Sequence, residues 1–197
     1  MAPVQLFHYH LVTSKAREVE ARYVGKLGFE LVARHGRIGH ELASVPPGIS
    51  WQELDGLGFE LSRSELTLGA VNVAVQPGRW ELPRVDHLGL ALDDDELEKA
   101  LERAQAAGLP VREPADRPAS VATNAGYRLE LHVARFEGLR LQELYLKTDD
   151  PDAKAAALAD LLDCARSGGD VEVGETFVRF VAGGPQGRPE LYAERFS

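Results

Sequence analysis

A single cysteine, Cys164, stands in the 197 residues. That excludes an intramolecular disulfide and is compatible with a reducing cytosol. Basic residues are also short: 22 lysines and arginines against 31 aspartates and glutamates. They nowhere form a stripe with interleaved aromatics, so nucleic acid is not an expected partner. No apolar run is long enough to span a bilayer, and the first residues lack a basic segment followed by an apolar one. The expectation is a soluble, cytoplasmic, globular protein with no membrane partner. The formal charge of -9 is spread over mixed-sign segments and bears on solubility more than on fold. What is present is a 44% hydrophobic complement, enough for a sizeable core in one large domain or several modules.

Three stretches share a strand-then-helix grammar: "LFHYHLVTSKAREVEARYVGKLGFELV", "RVDHLGLALDDDELEKALERAQAAGLPV" and "LQELYLKTDDPDAKAAALADLLD". Each strand alternates and runs to a capping residue, in turn Ser14, the Asp93 to Asp95 run, and Asp149 or Asp150. Pro151 suits a first helical position. Apolar residues then recur three or four apart (Val19, Tyr23 and Leu27 in the first copy), and Gly28, Gly108 and Gly168 mark helix ends. Strand-like sequence follows each helix. The boundaries expected are a first module over 1–82 with an insertion at about 40–58, a second over 83–137, and a shorter third over 138–197.

One such βαβββ unit leaves one sheet face bare. Units are therefore expected to pair edge to edge and curve that face into a cup, with helices outside. The fold class is α+β with mixed, curved sheets. Strand parity places His8 and His10 on the face opposite Phe7, Tyr9 and Leu11, which are expected beneath the first helix. His87, Gly89 and Ala91 share a face in the second copy, as do Arg128, Glu130 and His132. The polar faces all look into the cup.

The "xHxxLxV" opening strand, "YxxxLGFELV", "VDHLGLAL", "GYRLELHV" and the ending "GGPQGRPELY" together resemble the vicinal oxygen chelate superfamily. Its members include glyoxalases, bleomycin-resistance proteins, fosfomycin-resistance enzymes and extradiol dioxygenases. The resemblance covers most of the chain, the insertion and third copy going beyond the usual two-module plan. It implies a cupped sheet holding a divalent metal ion (Fe2+, Mn2+, Zn2+ or Ni2+) on the first and last strands of paired modules. Carried over residue by residue, the ligands are His8, His87 and Glu130. The remaining position falls on Asn72, a poor ligand better suited to contacting substrate. Two histidines and one carboxylate are similar to the set of extradiol dioxygenases and fosfomycin-modifying enzymes, leaving open positions on the ion. In the third copy the equivalent positions are Glu143 and Glu190, a vestigial or structural pair.

Around these ligands, His10 and His132 share the cup face as acid–base candidates, as partners that orient ligands, or as replacements for a ligand, His10 for His8 or His132 for Glu130. Arg128 either pairs with Glu130 or holds an anionic substrate group through its planar fork. His35 and His40 are expected in an exposed turn, "GRIG" and "GGPQG" as hairpin turns, and Cys164 as unreactive. The resemblance implies a metal-dependent enzyme acting on a small oxygen-containing organic substrate. The alternative it leaves is a metal-free protein that sequesters a small molecule, as bleomycin-resistance proteins do. Three modules leave one without an internal mate, so a homodimer pairing third modules is also expected.

Overall fold

The computed structural model describes residues 4–138 and 140–196. The chain begins β1 (Gln5–Thr13), α1 (Ala16–Leu27), β2 (Glu30–Ile38), β3 (Glu41–Val45), α2 (Trp51–Gly56), β4 (Phe59–Leu68) and β5 (Val71–Pro77). It continues with β6 (Arg84–Leu92), α3 (Asp94–Ala106), β7 (Val111–Arg112), β8 (Ala119–Ala122) and β9 (Arg128–Val133). The last stretch is β10 (Leu141–Thr148), α4 (Pro151–Leu162), β11 (Arg166–Ser167), β12 (Asp170–Val173), β13 (Thr176–Ala182) and β14 (Glu190–Phe196). No helix is long and apolar enough to cross a membrane.

Pairing follows one rule repeated. An opening strand runs parallel to the last strand of its own unit: β1 to β5, β6 to β9 and β10 to β13. Opening strands also pair antiparallel with each other, β1 with β6 and β10 with β14. β14 therefore takes the place of a fourth opening strand, and a single register pair, Glu190 with Arg84, joins it to β6. This corrects two expectations. Glu190 is not on the closing strand of the third copy, which is β13, and "GGPQG" is no hairpin turn but the crossing from β13 to the far edge of β10. The edge of β10 where a mate would pair is taken by the same chain.

Local chemistry explains the helices. Asp93 and Asp150 accept from the backbone N–H groups of Glu96 and Ala153, as caps do. α1 instead starts after Lys15 without a side-chain cap, and Ser14 donates its backbone N–H to the Trp80 carbonyl. Gly28 ends α1 in the left-handed conformation. The stop of α4 is Asp163, also left-handed, while Gly168 serves the turn between β11 and β12. Beneath the helices Tyr9, Leu11, Leu88, Leu90, Leu129, Leu131, Leu144 and Leu146 are buried in one core.

The insertion is a strand and a helix. β3 extends the sheet edge beside β2, and α2 carries a reciprocal cap between Ser50 and Glu53. A buried Glu20 carboxylate on α1 ties it down, accepting from Arg34 on β2, the Trp51 indole N–H at 3.0 Å and the Ser64 hydroxyl at 2.5 Å. His35 lies within β2 rather than in a turn, 3.2 Å from Glu65, while His40 is in the β2–β3 turn.

Candidate metal centre

The β1–β6 seam builds the site. Its register sets His8 opposite Gly89 and His10 opposite His87, the signature of a local two-fold relating His8 to His87 and His10 to Gly89. Gly89 is required there, because a Cβ would lie 2.7 Å from the His8 Cβ. The register slips twice, between Leu6 and His8 and between His10 and Leu11. Each slip makes a β-bulge, which re-aims a side chain that alternation would send elsewhere. The bulged residues are Phe7 on β1 and Asp86 on β6, each immediately before a histidine.

Phe7 is therefore not beneath α1. Its ring stacks on Phe136 at 4.4 Å and meets His132 edge-on at 5.0 Å. Tyr9 and Leu11 do enter the core. Asp86 turns to the His87 ring, its Oδ2 3.0 Å from Nδ1. Nothing in strand parity pointed to it. Arg128 and Arg188 each place a guanidinium nitrogen 2.6 Å from one of the Asp86 oxygens. Arg128 is thus held by Asp86 rather than by Glu130.

With Nδ1–H donated to Asp86, the lone pair of His87 is on Nε2. That atom lies 3.2 Å from His8 Nε2 and 3.4 Å from Glu130 Oε2. His10 stacks edge-on against His87, centroids 4.7 Å apart. The group of three among the described residues whose ligand atoms all lie within 4.8 Å of one another is His10, Asp86 and His87, so His8 and Glu130 each approach His87 without forming such a mutual set. Among the described residues, the Nε2 atoms of His10 and His132 are buried with no hydrogen-bond partner. Imidazole nitrogens and a carboxylate oxygen gathered around His87 Nε2 fit a divalent cation by the chemistry of the donor set.

Electrostatics agree. Burial, then the neighbouring His87, lowers His8 to about 3 and His10 to about 4, so both are neutral near pH 7. Glu130 is lowered to about 2, first by His132, whose Nε2 is 3.9 Å away, with burial opposing and His87 assisting. Burial would raise Asp86, yet His87, Arg128 and Arg188 hold it well below the usual carboxylate range. Burial pushes the Cys164 thiol up.

These groups line a cavity of about 360 Å³. Its lining combines His8, His10, His87, Glu130, His132, Asn72, Arg63 and Glu65 with the apolar Phe7, Val32, Leu66, Val73 and Ala74. Arg128 instead lines an adjoining cavity of about 820 Å³ that shares Arg63 and Glu130 with the first. Register corrects one assignment: His8 pairs with Asn72 and His10 with Ala74, as His87 pairs with Arg128 and Gly89 with Glu130. The counterpart of Glu130 is Ala74, not Asn72. In the third copy, Glu143 takes the His8 position and Arg179 that of Glu130, and the two form an ion pair at 3.1 Å.

No family model and no curated protein matches the sequence. Solved structures do match the fold. A variant of 4-hydroxymandelate synthase from Streptomyces coelicolor superposes with a TM-score of 0.60 at 15% identity, over 92% of this chain and 63% of that one. An Mn(II)-bound glyoxalase from Novosphingobium aromaticivorans gives 0.60 at 14% identity, over 97% and 64%. A catechol 2,3-dioxygenase gives 0.60 at 15%, over 96% and 69%. The chain spans less than two thirds of the length of the first two. The fold is that of the vicinal oxygen chelate superfamily.

Proposed function

We propose that the chain is a metal-dependent enzyme of dioxygenase or glyoxalase-like type acting on a small oxygen-bearing organic molecule. His8, His87 and Glu130 would hold the ion. The observation that carries this is the approach of His8 Nε2 and Glu130 Oε2 to the lone-pair nitrogen of His87, whose other nitrogen is bound to Asp86. Bound there, a divalent ion would supply Lewis acidity towards oxygens of the substrate.

The chain's own residues do the rest. His8 is neutral at pH 7, as ligation requires. His10, buried and neutral beside His87, is placed to accept a proton, and His132, next to Glu130, to return one. The apolar wall of Phe7, Val32 and Leu66 binds the carbon skeleton and excludes water. Asn72, also lining the cavity, offers an amide for a substrate oxygen.

Metal analysis of protein purified without chelator tests the reading. Bound Fe, Mn, Zn or Ni near one per chain is expected, falling to background in His8→Ala and Glu130→Ala. Unchanged metal content in both variants would refute the ligand set. Ala74 at the counterpart of Glu130 favours a second reading, sequestration of a small molecule without metal. Thermal stabilisation by such a molecule in strong chelator would support it.

A further inference from the structure

Arg188 lies on the crossing between β13 and β14, more than fifty residues beyond the candidate ligands, yet its guanidinium bonds Asp86 Oδ1 at 2.6 Å. Asp86 Oδ2 meanwhile takes Arg128 at 2.6 Å and His87 Nδ1 at 3.0 Å. We propose that Arg188 is a positioning residue for the metal centre: it fixes the plane of the Asp86 carboxylate and, through it, the His87 ring. The proposal rests on the metal-centre reading above.

The base of Arg188 is held on both sides. Val85 donates its N–H to the Pro189 carbonyl at 2.8 Å, and Leu191 donates to that of Pro83 at 2.9 Å. The Gly187 backbone presses on Gly126 so closely that a Cβ on Gly126 would lie 2.3 Å from its carbonyl. The guanidinium sits 5.4 Å over the Trp80 ring. The side chain thus starts from a fixed backbone point, and its planar fork loses less freedom per hydrogen bond than a flexible ammonium would.

Two guanidinium groups on different oxygens leave a carboxylate one orientation. With Arg188 removed, Asp86 is free to turn towards Arg128, whose nitrogen already stands 3.3 Å from His87 Nδ1. The imidazole then loses the bond that aims Nε2 at His8 and Glu130. Charge alone argues the reverse sign, because deleting a cation beside a divalent ion strengthens binding. The direction of the effect therefore separates orientation from simple repulsion.

The experiment is Co2+ titration of the full chain after chelation, read by calorimetry and by the visible absorption of the bound ion. Arg188→Ala is expected to weaken Co2+ binding about tenfold, the lower end for partners that orient metal-binding histidines, and to shift the absorption bands. Arg188→Gln keeps the stem packed; it is expected to show the same loss and stands in if the alanine variant fails to fold. Arg188→Lys should recover part of it. Adding Arg188→Ala to Asp86→Asn should weaken binding no further than Asp86→Asn alone. Binding equal to or tighter than wild type in Arg188→Ala or Arg188→Gln, or full additivity with Asp86→Asn, overturns the proposal. If wild type takes up no Co2+, the metal centre itself falls and this proposal with it. If wild type binds through His8 and the Arg188 variants match it, only the role of Arg188 falls.

Discussion

Removing the Glu20 carboxylate is the sharpest test of how the sheet edge that walls the cavity is held. Glu20 and Arg34 are nearly out of water, with side-chain exposures of 5% and 8%. Glu20 accepts from two nitrogens of Arg34, from the Trp51 indole and from the Ser64 hydroxyl. In Glu20→Ala the guanidinium keeps one polar partner, the Ile49 carbonyl at 2.8 Å, and the face of Trp51 at 4.5 Å. Stranding one member of a buried pair costs about 3–5 kcal/mol. For a chain of this size that lowers the melting temperature by roughly 6–20 °C. Replacing both partners by leucine should recover most of the loss, because no buried charge is then unpaired. Urea unfolding followed by circular dichroism measures all three proteins. A loss below about 1 kcal/mol for Glu20→Ala would show that water reaches the site, and the argument from burial would be wrong.

Two further outcomes are expected. Burial raises Glu194 above its ordinary value despite Arg22 beside it. The folded state therefore holds that proton more tightly than the unfolded one, and the penalty for ionising Glu194 is present in full above the folded pKa. Glu194→Gln should melt higher than wild type at pH 7–8, the gap closing as pH falls through that pKa; a constant gap across thermal melts from pH 4.5 to 8 would count against it. Gly89→Ala should push its new methyl into His8 and reduce bound metal, at an overpacking cost of about 1–3 kcal/mol. Wild-type metal content in folded Gly89→Ala protein would contradict the geometry.

Much of the fold was legible because its grammar recurs: an alternating strand, a capping aspartate and a helix with apolar residues three or four apart. That His8 and Glu130 both approach His87 was legible too, since parity puts each on the cup face; that His10 and Asp86 group with His87 was not. Parity failed where the strands bulge. Phe7 and Asp86 belong by counting to the helix side, and only the register slips in β1 and β6 bring them round. Ala74 replaced Asn72 as the counterpart of Glu130 because which residues face each other across β1 and β5 is a property of pairing, not of one strand. β14 resembled a closing strand locally. Its antiparallel union with β10 depends on a crossing whose path no short pattern encodes. Arg188 was out of reach for the same reason.

The paired bulges have a consequence for anything that enters the cavity. Two strands related by a two-fold would ordinarily offer a guest two equivalent ways to lie. Here the same kink holds phenylalanine on one strand and aspartate on the other, so one half presents a greasy flank and the other a braced imidazole. A molecule with one oxygenated end and one hydrocarbon end has a single favourable heading in such a chamber. A nearly symmetric frame thus gives the chamber the means to tell one face of its guest from the other.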